Sequence, residues 1–151
     1  MHKKLLSEIK ASKEILGRAL ENSGVAVSQQ NLDLRYTHFF NTHRGMAGKE
    51  LIGKTDADWL PVGQAKKLTA IKKRALAGKS GVRELFKSTL SAGDEGEIYY
   101  NDIRVEPIKD HNKVVGIYPV SIDNTEFQKA LIKLEELNGR LLKHMETQLG
   151  R

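Results

Sequence analysis

The chain has 151 residues, a net charge of +6 and no cysteine, which sets a prior of one domain with room for a real core, plus a helix at either end. Without cysteine there is no disulfide, no thiolate nucleophile and no thiolate zinc site. No stretch approaches the ~20 apolar residues of a membrane span, and the charged opening MHKKLLSEIKASKE lacks a signal-peptide core, so the expected setting is cytoplasmic.

Leu5, Ile9, Leu16 and Ala19 recur at alternating four- and three-residue spacing, with Ser12 in the middle slot, so residues 2–21 read as an amphipathic helix. Gly17 weakens its middle by about 1 kcal/mol relative to Ala, and Asn22-Ser23-Gly24 is a stop signal. A stripe this narrow should pack on a sheet or on a twin helix. Residues 25–41 follow as two strands: Val25 and Val27 alternate with Ala26 and Ser28, and Leu34, Tyr36, His38 and Phe40 alternate with Arg35 and Thr37. Turn chemistry lies at 31–33, and Asn41 stands where an N-cap is needed for a helical turn over 42–47.

Glycines 45, 48 and 53 then divide the chain into short helical pieces, and Thr55 or Asp56 can cap the next turn. Pro61 suits the first turn of a helix running to about Ala77, with Ala65, Leu68, Ile71, Ala75 and Leu76 on one face and lysines on the other. Gly78 ends it, and GKSG at 78–81 is a turn rather than a phosphate loop, because it follows a helix and lacks the upstream glycine. Three strands are expected over 82–90, 97–108 and 114–122, joined by turns at 91–96 and 110–113. Five strands with helices inserted after the second give an α+β fold, one antiparallel sheet with its helices on one face. Pro119 is a misfit in a central strand and predicts a bulge near Tyr118.

Beyond the last strand, Phe127, Leu131, Leu134, Asn138, Leu141 and Met145 repeat at heptad spacing. Two readings stand side by side: a short parallel coiled coil whose buried Asn138 fixes register, or a helix folded back on its own sheet.

The hairpin leading into Asn41, the run GKELIGKTDADWLP at 48–61, DIRVEPIKD at 102–110 and DNTE at 123–126 together resemble a PAS domain, in order and in spacing, over residues 19–126. The resemblance implies a PAS-like five-stranded core over 23–122, an N-terminal amphipathic helix over 1–22 and a C-terminal signalling helix over 123–151. It also implies a non-catalytic sensory or regulatory module of the kind joined to bacterial sensor histidine kinases. Its partners would be a second copy of the chain, a histidine kinase or other signalling protein, and a small-molecule ligand.

In that frame Asp123, Thr125 and Glu126 form the junction that passes changes in the sheet to the last helix, although the same residues also serve as an ordinary helix cap. Tyr36, Phe40, Trp59, Phe86 and Tyr100 are the candidate pocket lining, against the simpler reading of core aromatics. The cofactor stays unknown. A covalent flavin is excluded by the missing cysteine, and haem is disfavoured because residues 62–77, where haem-binding relatives carry their ligand, hold no histidine. His38 and His43 have no partner at metal-ligand spacing. His144 lies in a sequence superficially like a phospho-acceptor box, without the rest of that motif.

Two rival classes remain at this stage. Lys66, Lys67, Lys72, Lys73, Arg74 and Lys79 share one predicted helix and would be the contact surface of a basic nucleic-acid-binding or transcription-regulatory protein, though no aromatic residues are interleaved. A small enzyme on a curved sheet, of the isomerase-like cone type, would require a buried acid or base.

Overall fold

A computed structural model describes residues 2–41, 48–89 and 98–150 of the chain. The expected helical turn at 42–47, with His43, and the turn at 91–96 lie outside these residues. The elements are α1 (His2–Leu20), β1 (Val25–Asn31), β2 (Tyr36–Asn41), α2 (Gly48–Leu51), a 3-10 turn (Asp56–Asp58), α3 (Val62–Leu76), β3 (Val82–Ser88), β4 (Tyr99–Asp110), β5 (Lys113–Asp123) and α4 (Thr125–Leu149). The strands form one antiparallel sheet in the order β2-β1-β5-β4-β3. The chain's first and last strands are therefore hydrogen-bonded neighbours at its centre.

One face of the sheet and α3 enclose the core, where Leu34, Leu60, Ala65, Leu68, Ala75, Val82, Phe86, Ile103, Val105 and Ile117 pack together. Strand parity explains the choice: Ile103, Val105 and Ile117 project inward, while Asp102 and Arg104 between them project to the other face. The β4–β5 hairpin closes on His111 and Asn112, both at positive φ (49° and 66°), the pairing that a two-residue turn of matching twist requires.

The β1–β2 hairpin departs from simple alternation. Ser28 pairs with Phe39 but Val27 with Asn41, and Gln29 pairs with His38 but Gln30 with Tyr36. Phe40 and Thr37 are thus extra residues on β2, and each bulge reverses which parity faces the core. Tyr36 is buried and stacks on Phe39, with ring centroids 4.8 Å apart, while His38 and Phe40 face out. Leu34 is not a strand residue: it sits in the turn at φ 59° and still reaches the core. The Asn31 side chain holds that turn by accepting the N–H groups of Asp33 and Arg35.

Pro119 causes no bulge. It stays in register opposite Val105 of β4, and the ladder to β1 skips Ser28 and Gln29 but resumes in the same register at Val27 and Gln30. A residue without an N–H interrupts the pairing there and leaves the strand straight. The β4–β5 irregularity falls instead between Ile108 and Lys109.

Close approach at the sheet centre makes Gly116 irreplaceable. A Cβ there would lie 2.4 Å from the Gln30 carbonyl oxygen, which belongs to backbone and cannot move aside. Gly116→Ala is expected to lower stability by about 2–4 kcal/mol, through a forced separation of β1 from β5. A urea midpoint within experimental error of the wild type would refute it.

On the outward face Asp102 receives two hydrogen bonds from Arg83 (3.1 and 2.9 Å) and one from Arg104 (3.2 Å). These bonds, Arg83 first, hold its carboxyl below the ordinary carboxylate range. A depressed folded-state value contributes stability above the unfolded value of about 4, and this is lost as pH falls through the folded value. Asp102→Asn is therefore expected to cost about 1 kcal/mol at neutral pH and to flatten acid destabilisation below about pH 4. Urea midpoints at successive pH values check it; parallel wild-type and variant curves would contradict the assignment.

Candidate functional site

The most unusual chemistry lies beneath α3. Ala65, Leu68, Lys72 and Ala75 form its buried seam, so a lysine occupies a core position. Lys72 and Asp56 side chains are 2% and 1% exposed and lie 2.5 Å apart. Asp56 comes from the 3-10 turn, which Thr55 and Asp58 fasten: the Thr55 N–H donates to Asp58 Oδ2 at 2.8 Å and the Asp58 N–H to the Thr55 carbonyl at 3.1 Å.

Tyr36 of β2 donates through Oη to Asp56 Oδ1 at 2.5 Å, Trp59 Nε1 donates to the same oxygen at 3.2 Å, and Lys72 Nζ donates to Asp56 Oδ2 and, at 3.0 Å, to Tyr36 Oη. Three donors from three parts of the chain thus converge on one carboxylate. The Lys72 ammonium also lies 4.9 Å from the centre of the Tyr36 ring. Tyr36 is placed by its backbone, which exchanges hydrogen bonds with Gly53 and Lys54.

Burial, reinforced by the neighbouring Asp56 charge, raises the Tyr36 hydroxyl well above its ordinary range, so it remains a donor. Burial pulls the Lys72 ammonium down, opposed by Asp56. Beside this cluster lies Gln30, fully buried: Nε2 donates to the Leu34 carbonyl at 2.7 Å, while Oε1 has no partner among the described residues.

Of the five aromatic residues expected to line a pocket, Tyr36 and Trp59 meet at Asp56, Phe86 is in the core cluster against which Trp59 packs, and Phe40 is 39% exposed on β2. Tyr100 is at the opposite side of the sheet, on β4, beneath Lys87. Residues missed by sequence reasoning are Lys72, assigned to a solvated face, Asp56, considered only as a cap, and Gln30. The 65-68-72-75 spacing was the available signal for Lys72; nothing comparable marked Gln30. The basic stripe of α3 is smaller than its sequence suggests, because Lys72 is internal and Arg74 is bound to Glu84 at 2.7 Å.

A second cluster joins the sheet to α4. Asp123 Oδ1 accepts the Thr125 N–H at 3.0 Å, Thr125 Oγ1 accepts the Tyr100 N–H at 3.1 Å, and the Asn124 N–H donates to the Tyr100 carbonyl at 2.7 Å. The Asp123 N–H donates to Gly24, just past α1, at 2.7 Å, and Asn41 Nδ2 donates to the Leu20 carbonyl at 2.8 Å. Both terminal helices are thereby tied to one corner of the sheet. Thr125 is the one buried residue of α4. Phe127, Leu131, Leu134, Leu141 and Met145 are 39–63% exposed, and Asn138 and His144 are exposed as well. In α1 no residue is buried, and Leu5, Leu6, Ile9, Ile15 and Leu16 are all exposed.

A family model described as the PAS fold matches residues 20–129, spanning the sheet, α3 and the α4 junction. The chain belongs to the PAS-fold family. It is 26% identical over 147 residues to "Probable histidine kinase 1" of Oryza sativa subsp. indica and 27% identical over 154 aligned positions to "Histidine kinase 5" of Arabidopsis thaliana. These alignments take in 95% and 97% of this chain but only 15% and 16% of the two kinases. Among solved structures, an RNA-binding light-oxygen-voltage receptor superposes with a TM-score of 0.63 at 20% identity, over 83% of this chain and 37% of that one, a likeness of fold. PAS domains are sensory modules, and this one has relatives among histidine kinases. Among the described residues no helix is long and apolar enough to cross a membrane, and no group of three His, Asp or Glu side chains could hold a metal ion.

Proposed function

We propose that this PAS domain is a non-catalytic, cytoplasmic sensory module of a histidine-kinase pathway. It couples the state of its interior to the geometry of α4 and acts as a homodimer through its terminal helices. The observation that carries the reading is the junction at Tyr100, Asp123 and Thr125, which fixes the first turn of α4 to β4 and β5 while leaving the other 24 residues of the 25-residue helix without a buried position. A helix held only at its base transmits a small tilt of the sheet to whatever its far end contacts. Coupling of this kind needs about 1–3 kcal/mol of differential stabilisation between two helix arrangements.

The acid and base demanded by the rival enzyme reading are present as Asp56, Lys72 and Tyr36, but they hydrogen-bond one another, which supports a structural or sensing use. The nucleic-acid reading loses two of its six cations to carboxylates of the same chain, Lys72 to buried Asp56 and Arg74 to Glu84 at the surface. Removing residues 127–151 tests the proposal: the remaining chain should stay folded by circular dichroism and become monomeric in sedimentation equilibrium. An unchanged dimer would exclude α4 as the dimer seam.

A further inference from the structure

Two features beneath α3 are not explained by core packing. One is the Asp56 carboxylate held by Tyr36, Trp59 and Lys72, a complete receptor for a carboxylate. The other is Gln30 Oε1, wholly buried and without a partner among the described residues. Gln30 and Tyr36 are directly opposed on β1 and β2, so their side chains leave the same face with Cβ atoms about 5 Å apart. An unused acceptor therefore stands beside a set of carboxylate donors.

We infer that this is the binding seat for a small hydroxycarboxylate, and that Asp56 is its resident stand-in. The ligand carboxylate takes the hydrogen bonds of Lys72, Tyr36 and Trp59, and its α-hydroxyl donates to Gln30 Oε1. Asp56 swings outward, where water replaces its lost partners, on a turn whose Thr55–Asp58 fastening is exposed and stays closed. One carboxylate replaces another against Lys72, so the buried charge is unchanged. A neutral ligand would leave the ammonium uncompensated, and a dianion would bury an extra charge. The inference rests on the sensory reading and names the ligand class of that module.

Trp59 is the only tryptophan, so its indole N–H is a single reporter at the seat. Wild type and Asp56→Ala are titrated with sodium L-lactate or sodium propionate at fixed ionic strength against sodium chloride, following the indole ¹H–¹⁵N cross-peak. The expected result is saturable binding to Asp56→Ala, with lactate at least tenfold tighter than propionate. Wild type should bind lactate at least tenfold more weakly than Asp56→Ala, because the resident carboxylate competes. Adding Gln30→Leu to Asp56→Ala should bring the two acids within twofold of each other.

The inference is overturned if Asp56→Ala responds no differently to lactate than to chloride, if wild type shows no saturable response, or if the response survives in Asp56→Ala/Lys72→Met. If Asp56→Ala does not fold in chloride, refolding in lactate decides: recovery supports the seat, and failure in both salts overturns it. The sensory reading fails on a different measurement, the oligomeric state of the chain lacking α4.

Discussion

Lys72→Met is expected to destabilise the domain by about 3–5 kcal/mol, since it leaves the Asp56 carboxylate buried without its cation. Asp56→Leu alone should cost a similar amount, by stranding the ammonium. The informative variant is the double one. An apolar pair of similar volume removes both desolvation penalties, so Asp56→Leu/Lys72→Met should recover most of the loss and lie between about 1 kcal/mol below and 4 kcal/mol above wild type. Urea unfolding followed by circular dichroism measures all four proteins. Strict additivity of the two single losses would mean that the 2.5 Å contact does not couple these residues energetically. A stable double variant would show that the charges are not there for stability, which leaves specificity or sensing as their use.

The second large effect is expected in self-association. Leu134→Ala/Leu141→Ala removes the same heptad position from two successive heptads of α4, at 63% and 56% exposure in the single chain. Burying such leucines against a partner helix stabilises by about 2–5 kcal/mol each, so the dimer dissociation constant should rise by at least about 100-fold. Neither side chain is part of the core, so the urea midpoint of the PAS core, measured on monomer, should not change. Asn138→Leu should act in the opposite direction: tighter association with looser control of helix register and subunit number. Sedimentation equilibrium reads both, and a dissociation constant within threefold of wild type for the double alanine variant would exclude this seam.

The fold class, strand order of events along the chain and α4 were legible in the sequence because they depend on periodicity and on turn chemistry, both local. The hairpin parity was not. Thr37 and Phe40 each add a residue to β2 without any glycine to mark a bulge, so alternation starting from Tyr36 assigned His38 and Phe40 to the core side, where Phe39 belongs. Pro119 misled in the other direction, since a strand can miss two successive pairs if its neighbours keep register. The cluster beneath α3 was concealed by charge itself. Lysine and aspartate are rarely buried unless paired, and the pairing joins residues 16 positions apart, on two elements whose packing is set only in three dimensions. Asp123 and Thr125, by contrast, lie within three residues of each other and bond as neighbours, although the N-cap is Asn124 without a side-chain cap bond, so neither is the cap that the sequence suggested.

The bond from Asp123 to Gly24 has a mechanical consequence. With β1 and β5 side by side, the two rods meet at a common pivot, and a relative slide of the strands by one residue would turn every side chain of one of them to the wrong face. A one-residue slide of β1 against β5 is therefore closed to this domain. Lever-like rotation about the pivot remains open, so that a sub-ångström adjustment at the base grows in proportion to distance along the 25-residue arm.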